Sequence, residues 1–148
     1  MATHFPGSKD EKETLNAFIK LTRASESVNS RLSRHLTEAN LTISQFGTLE
    51  ALLHLGPLNQ KELGEKLLRS GGNITLVIDN LEKNGLVIRS KNPNDRRAVI
   101  INLTKKGKTF IMDFFPQHLA KIIEEFSVLT SAEKKSLAII CKKLGVRE

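Results

Sequence analysis

The chain has 148 residues, of which 39% are hydrophobic and 26% are charged, so its composition is that of a folded globular protein and excludes a disordered one. Its one cysteine, Cys141, excludes an internal disulfide, and the absence of a secretory signal and of an apolar run of the roughly 20 residues that span a membrane predicts a cytoplasmic location. The formal net charge of +7 is concentrated in residues 59–108, where eleven basic and five acidic residues lie, as is typical of a module that binds polyanions.

Helix starts are marked in this sequence by capping boxes, in which a polar residue is followed three positions later by Glu or Gln. The first helix is predicted over residues 9–36. The second is predicted over residues 43–55, where Gly56-Pro57 ends it, and the third over residues 59–68. The four boxes are Ser8 with Glu11, Thr42 with Gln45, Asn59 with Glu62, and Thr130 with Glu133.

The fourth helix is predicted over residues 72–84, after a short break, and it ends at Asn84-Gly85 through the left-handed conformation that Gly adopts. Its apolar residues recur at 3- and 4-residue spacing, so one face of the helix is expected to lie on a core. The opposite face is polar and can offer hydrogen bonds to a partner. It carries Asn73, Thr75, Asp79, Asn80 and Lys83.

Two strands, residues 86–90 and 98–103, are predicted to form a hairpin around the stretch KNPNDRRAV. Asn-Pro and Asn-Asp favour a turn, and the adjacent Arg96 and Arg97 would repel each other unless an anion lay nearby. Asp95 is expected to pair with a guanidinium and to set its rotamer. Because an exposed ion pair contributes only about 0–1 kcal/mol, stability alone does not explain two arginines at this place.

The last two predicted helices carry wide apolar stripes. The fifth is expected to begin after Thr104 and to be kinked or split at Pro116, and the sixth is predicted over residues 131–144. Together with the stripe of the first helix, these faces exceed what a core of roughly 60 residues can bury, which predicts a homodimer. The residues of the sixth helix that are expected to be buried, with the thiol in a structural role, are Leu137, Ile140, Cys141 and Leu144.

The order of elements over residues 42–103 is helix, helix, short break, helix, strand, turn and strand, which is that of a winged helix-turn-helix. The predicted fold class is therefore mainly α with a small β-hairpin wing (α+β), and residues 1–41 and 104–148 are expected to form a helical dimerisation region. In such units the second helix of the motif lies in the major groove of DNA. A wing that carries Arg96 and Arg97 can reach the minor groove, which is strongly negative where A-tracts narrow it. The pattern predicts double-stranded DNA as a partner.

The sequence from LTISQFGTLEALLHLGPLNQKELGEKL to NPNDRRAVIINLTKKGK resembles the MarR (multiple antibiotic resistance regulator) family of winged helix-turn-helix repressors. The resemblance covers about residues 15–145, and its most specific part is the wing signature Asp95-Arg96-Arg97. It implies a homodimer that binds palindromic operators and is released by a small, often phenolic, ligand or by an oxidant. It also implies that Arg97 enters the minor groove and that Asp95 supports it. The predicted DNA-binding residues are Ser70, Gly72, Asn73, Thr75, Asn80, Lys83, Arg89, Asp95, Arg96 and Arg97.

The resemblance also implies an effector pocket where the dimer helices meet the winged core. The family often has a basic residue where Leu76 or Asn80 stands, and its oxidant-sensing members keep a reactive cysteine in the N-terminal helical region, where this chain has none. Redox sensing is therefore disfavoured. Because the sequence contains no Tyr and no Trp, a phenol would have to be bound by Phe, Arg and His. The candidate effector-binding residues are Arg23, Phe46, Phe115 and His118.

An enzyme and a non-specific architectural DNA-binding protein are the two alternative classes of function. An enzyme is disfavoured because the four histidines are scattered and the sequence has no HExxH, GxSxG or P-loop motif. A single cysteine excludes a Cys-based zinc motif within one chain, and neither a metal nor a cofactor is predicted. The alternative within DNA binding is a non-specific architectural protein, which would share the basic wing but need neither an effector nor a defined operator.

Overall fold

The computed structural model describes residues 4–67 and 71–146. The chain divides into two compact units, Met1–Thr42 and Ile43–Glu148. The described residues form six helices and a small antiparallel sheet of three strands, which confirms the predicted fold class. None of the helices in this part of the chain is long and apolar enough to cross a membrane.

The first unit consists mainly of one long helix, α1 (Lys9–Glu38). The predicted capping box is present, since the Ser8 hydroxyl accepts from the amide of Glu11 at 3.2 Å and the Glu11 carboxylate accepts from the amide of Ser8 at 2.7 Å. The hydrogen bond from the Ser8 amide to the Glu11 carboxylate, and after it the Ser8 side chain, lower the pKa of Glu11. The helix ends where Asn40 adopts a left-handed conformation with a φ of 57°.

The second unit carries the remaining elements in an order close to the prediction. The described helix boundaries agree with the predicted ones to within one residue, because their caps are explicit in the sequence, and Leu68, the predicted end of the third helix, lies outside the described residues. Gly56 and Gly85 have φ angles of 79° and 73°, as expected for the residues that end α2 and α4. The elements are α2 (Ile43–Leu55), β1 (Leu58–Asn59), α3 (Gln60–Leu67), α4 (Gly71–Lys83), β2 (Val87–Asn92), β3 (Asp95–Leu103), α5 (Lys105–Glu125), a 3-10 turn (Phe126–Val128) and α6 (Ser131–Gly145).

The sheet has the strand order β1-β3-β2, and both pairings are antiparallel. Strand β1 was not predicted; it pairs Leu58 with Ile101 and Asn59 with Ile100. Because β1 lies directly before α3, this pairing attaches the start of α3 to the wing. The helix starts with the predicted capping box, in which the Asn59 side chain accepts from the amide of Glu62 at 2.8 Å.

The core of the second unit fixes α4 in place. Helix α4 contacts α2, α3 and β2, and its inner face is buried at Ile74, Ile78 and Leu81, whose side chains are no more than 1% exposed. Leu49 of α2 and Leu63 of α3 are also fully buried. Since three elements pack against one face of α4, its opposite face is held outward in a defined orientation.

The base of the wing is joined tightly to the start of α5. The Thr104 hydroxyl accepts from the amide of Gly107 at 2.9 Å, as predicted for a cap, and donates to the carbonyl oxygen of Gly85 at 2.6 Å. A side chain at Gly107 would place its Cβ 1.9 Å from the carbonyl oxygen of Leu86, so only glycine permits this approach. The base of the wing and the start of α5 are therefore joined rigidly.

The C-terminal helices agree with the expectation only in part. Helix α5 runs through Pro116 as one element, so it is not split there, and the alternative expectation of a kink stays a prediction. All described residues of α6 are exposed, including Cys141, so the expectation that this thiol is buried within the chain is wrong. The same holds for Leu137, Ile140 and Leu144, which are 37%, 62% and 48% exposed. Apolar spacing indicates which face of a helix is suited to burial, but not whether the same chain covers it.

Candidate nucleic-acid interface

The outward face of α4 is polar at most positions. Asn73, Thr75, Asp79, Asn80 and Lys83 are all exposed, as predicted. Spaced between them on the same side, Leu76 is 61% exposed. Ser70, which was predicted to contact DNA, lies outside the described residues, and Gly72 falls in the first turn of α4. The helix thus presents amide and hydroxyl groups of the kind that bond to base edges.

The start of α3 is bonded to this face. The Gln60 side-chain amide donates to the Thr75 hydroxyl. Because Gln60 follows β1 directly, this hydrogen bond connects a predicted DNA-binding residue of α4 with the segment that pairs with the wing. Sequence periodicity did not indicate Gln60, since the two residues are 15 positions apart and meet only through the packing of α3 on α4.

The tip of the wing is narrower than the sequence suggested, because the strands extend to Asn92 and Asp95. Lys91 pairs with Val99 but Asn92 pairs with Asp95, so residues 96–98 of β3 have no partner on β2. Arg96 and Arg97 therefore lie in a strand irregularity and not in the turn itself. Such bulges redirect side chains and are frequent beside functional sites. Both arginines are exposed.

Asp95 supports this irregularity through the backbone. One of its carboxylate oxygens accepts from the amide of Arg97 at 3.0 Å. The expected ion pair is not formed, since among the described residues neither Arg96 nor Arg97 has a carboxylate within 4.0 Å of its guanidinium. The physical reason is the bulge, which leaves the Arg97 amide without a ladder partner and so makes it the donor that Asp95 meets. Both guanidinium groups remain available to an external anion.

Arg89 of β2 has a different environment from the other predicted DNA-binding residues. Its guanidinium bonds to the Asp79 carboxylate at 2.5 Å and to the Glu82 carboxylate at 3.1 Å. The second carboxylate oxygen of Glu82 accepts from the backbone amide of Arg89 at 3.0 Å. The Arg89 side chain is only 25% exposed. The side chain of Arg89 thus connects β2 with α4. Asp79, on the outward face of α4, is one of its two ion-pair partners.

Further lysines that were not among the predicted site residues lie on β2 and at the start of α5. Lys91 is exposed on β2, and Lys105 and Lys108 are exposed at the start of α5. Lys106 donates to the carbonyl oxygen of Asn84 at 3.0 Å and so neutralises the C-terminal end of α4. The signal for these residues was the basic run LTKKGK, because lysines at a helix N-terminus oppose the helix dipole and are disfavoured there unless a partner is negative.

Three of the four candidate effector residues lie together in the second unit. The Phe46 ring is 4.5 Å from the His118 ring and 6.4 Å from the Phe115 ring, measured between centroids. Phe46 and His118 are buried, and His54 extends the cluster with a ring 5.2 Å from that of Phe115. Arg23, the fourth candidate, belongs to the first unit.

A cavity of about 610 Å³ lies in the first unit, at the start of α1, and it is lined by none of these candidates. Its walls come from the N-terminal segment and the first turns of the helix. We do not assign it to an effector, because five of its six lining residues are exposed to solvent. The lining residues are Phe5, Asp10, Glu11, Thr14, Leu15 and Phe18. Within residues 4–67 and 71–146, no group of His, Cys, Asp or Glu side chains is placed to hold a metal ion.

Comparison with known proteins agrees with this arrangement of helices and wing. The MarR family model matches residues 41–99, which include α2, α3, α4 and most of the wing. The HTH-type transcriptional regulator MhqR of Bacillus subtilis (strain 168) is 36% identical over 135 residues, covering 91% of this chain and 93% of that protein. The chain belongs to the MarR family. Its relatives are transcriptional regulators and not enzymes, and this chain is accordingly a winged-helix transcriptional regulator.

Solved structures of MarR-family proteins have the same fold. A mutant of MarR from E. coli, complexed with operator DNA, is 25% identical, with a TM-score of 0.80 over 93% of this chain and 99% of that one. BpsR of Bordetella bronchiseptica, whose DNA binding is regulated by 6-hydroxynicotinic acid, is 22% identical, with a TM-score of 0.82 over 99% of both chains. The second similarity is one of fold alone.

Proposed function

We propose that this MarR-family chain is a homodimeric repressor that binds a palindromic operator and is released from it by a small aromatic effector. In each protomer, α4 lies in the major groove and the wing extends into the adjacent minor groove. We propose the cytoplasm as the location of this protein, because operator DNA lies there in bacteria. The observation that carries the proposal is the pair of exposed residues Arg96 and Arg97 at a bulge of the wing, in the same unit as the polar outward face of α4.

The assignment of grooves follows from the chemistry of the two surfaces. Asn and Thr side chains on α4 match the donor and acceptor pattern of base edges in the major groove. Arginine is the residue that narrow, A-tract minor grooves attract most strongly. The excess of basic residues over 59–108 supplies the attraction to phosphates that does not depend on sequence. These features support contacts by Gly72, Asn73, Thr75, Asn80, Lys83, Arg96 and Arg97, with Ser70 as a further candidate.

The homodimer is supported by the apolar residues that the chain leaves exposed. Along α6 these include Leu137, Ile140 and Leu144. Helices α1 and α5 expose others, such as Phe18 and Ile123. Exposed apolar surface of this extent is typical of an interface between proteins. We propose residues 1–41 and 104–148 as the dimerisation region, and a two-fold axis would then place two α4 helices about 34 Å apart, one turn of DNA.

The effector is supported by the aromatic cluster of Phe46, Phe115 and His118. It offers ring faces for stacking, and a histidine can bond to a hydroxyl or carboxylate of an aromatic acid. BpsR, which shares the fold, responds to an aromatic acid of this type. Arg23, the fourth candidate, belongs to the first unit and stays a prediction.

The test is a competition experiment with the full-length protein. A preferred duplex is first recovered from a randomised pool, and a random duplex of equal length then competes with it at about 150 mM salt. A specific regulator prefers the selected duplex by at least roughly 1000-fold. Equal competition by the random duplex would instead support the second candidate, a non-specific architectural protein, which the basic wing alone would also fit.

The wing is tested with Arg97→Ala, which removes the proposed minor-groove contact. We expect affinity for the selected duplex to fall by roughly tenfold or more. Lys135→Ala is the matched control, because it removes one exposed positive charge from α6, outside the proposed DNA-binding surface. An Arg97→Ala variant that binds as tightly as the Lys135→Ala variant would contradict the assignment of the wing to DNA.

A further inference from the structure

We propose that Arg89 does not contact DNA but is a positioning residue, which holds the wing at a fixed distance and angle from α4 through Asp79 and Glu82. The inference rests on the proposed function, since it concerns how the two DNA-binding elements are kept in register with two neighbouring grooves. It changes the role predicted for Arg89 from the sequence, and it gives Asp79 a role other than base contact.

The three contacts form a connection between a helix and a strand. Asp79 and Glu82 are one helical turn apart on α4, so their carboxylates lie on the same side and both reach β2. Glu82 uses one oxygen for the guanidinium of Arg89 and the other for its backbone amide, at 3.1 and 3.0 Å. The bond to the amide fixes the strand itself and not only a side chain. Opposite Arg89 on β3 lies Ile101, which is fully buried, so this point of the wing is anchored from both sides.

A direct contact between Arg89 and a phosphate fits this arrangement poorly. Its guanidinium already bonds to two carboxylates, which together carry more charge than it does. A phosphate would therefore meet a group of net negative charge. Asp79, whose side chain is 54% exposed on the outward face of α4, should by its charge alone weaken the binding of DNA. The benefit that offsets this repulsion is a rigid relation between α4 and the wing, which avoids an ordering cost on binding.

The experiment asks whether neutralising Asp79 or Glu82 raises or lowers the affinity for DNA. If Asp79 and Glu82 act only through their charge, Asp79→Asn and Glu82→Gln will bind DNA more tightly than the parent protein. If they position the wing, both variants will bind the selected duplex more weakly, by roughly tenfold, as for other coupled ion-pair networks. Glutamine retains one acceptor where Glu82 uses two, whereas asparagine retains the one acceptor that Asp79 uses, so the larger loss is expected for Glu82→Gln. Glu65→Gln is the control, since Glu65 is an exposed acid of α3.

The salt dependence of binding separates positioning from phosphate contact for Arg89. Each phosphate contact that is lost reduces the slope of log K against log salt by about 0.9. We expect Arg89→Ala to weaken binding with an unchanged slope, whereas Arg97→Ala should reduce it. We also expect Arg89→Lys to restore affinity only partly, because a lysine cannot form the two-armed bond. Circular dichroism and thermal unfolding show whether each variant remains folded. If Arg89→Ala does not fold, the salt dependence is measured with Asp79→Asn in its place.

Two results would overturn the proposal. One is tighter binding by both Asp79→Asn and Glu82→Gln, and the other is a slope that falls by about 0.9 in Arg89→Ala. Failure of the proposed function is distinguishable from either, because it would appear in the parent protein as equal affinity for selected and random duplexes. A loss of affinity in both acid variants with an unchanged slope in Arg89→Ala is the supporting result.

Discussion

At the tip of the wing, the carboxylate of Asp95 accepts from the amide of Arg97, which the bulge has removed from the strand ladder. The part of Asp95 that matters for this contact is an acceptor oxygen and not the negative charge. The neighbouring Asn92 has a similar role, since its side-chain oxygen accepts from the amide of Asn94 at 2.9 Å and forms the turn. Two side-chain acceptors thus shape the segment that presents Arg96 and Arg97.

The first prediction separates these two properties of Asp95. Asp95→Asn keeps the acceptor and removes the charge, so we expect its affinity for the selected duplex to equal or exceed that of the parent protein. Asp95→Ala removes both, and we expect a loss of about fivefold, corresponding to one hydrogen bond. The measurement is a titration of each variant with the selected duplex. Equal losses in the two variants would show that the charge of Asp95 is required.

The sequence indicated which residues the wing would present but not how it presents them. The identities of Asp95, Arg96 and Arg97, and the turn-forming Asn-Pro, are local signals. The register is not, because it depends on how β3 pairs with β2 beyond Lys91, and a shift there reassigns which amides lack partners. Short-range signals therefore predicted an ion pair for Asp95. In the structure its carboxylate instead accepts a hydrogen bond from the backbone amide of Arg97.

Among the elements, the helices were predictable because their ends are specified by short-range chemistry. Asn59 with Glu62, Gly56 and Gly85 each act within a few residues of the chain. Strand β1 was missed because its two residues, Leu58 and the helix cap Asn59, carry no alternation, and their pairing with β3 is a long-range event. The burial of the apolar stripe of α6 was hard to predict for the same reason. Amphipathic spacing is a local property of the sequence, whereas the surface that covers a stripe is not.

The junction between the wing and α5 yields a prediction at the scale of elements. Gly107→Ala would drive a methyl group into the carbonyl oxygen of Leu86, so α5 or the base of the wing must shift. We expect the free energy of unfolding to fall by about 1–3 kcal/mol, as for other overpacked sites. Chemical denaturation of the full-length protein measures it. The matched control is Gly145→Ala at the end of α6, where an added Cβ meets no atom within 4 Å.

The changes in the free energy of unfolding that the two alanine substitutions cause should differ in sign as well as in size. In a helix, replacing glycine by alanine is favourable by roughly 0.5–1 kcal/mol when the new methyl group has space. Gly145→Ala is therefore expected to be neutral or stabilising. If Gly107→Ala were equally well tolerated, the close approach of α5 to the wing would not contribute to the stability of the fold.

For the whole molecule, the exposed apolar residues of α6 and the basic excess belong to different parts of the chain. The basic excess lies between residues 59 and 108, and the apolar residues of α6 lie beyond it. A dimer formed through α6 would leave the basic surface of each protomer accessible. Two half-sites bound by linked protomers gain affinity by roughly 100- to 10,000-fold over one, so dimerisation and DNA binding should be lost together.

The last prediction uses two neighbouring isoleucines of α6 that are similarly exposed. Ile140, which is 62% exposed, lies on the stripe with Leu137 and Leu144, whereas Ile139, at 68%, lies on the opposite side of the helix. We expect Ile140→Lys to give a monomer in sedimentation at micromolar concentration, with a large loss of affinity for a palindromic duplex. Ile139→Lys adds the same charge and removes the same apolar side chain, yet it should remain a dimer. Because the two variants differ only in the face of α6 that they alter, equal behaviour would exclude this stripe as the interface, and a monomeric parent protein would exclude the dimer itself.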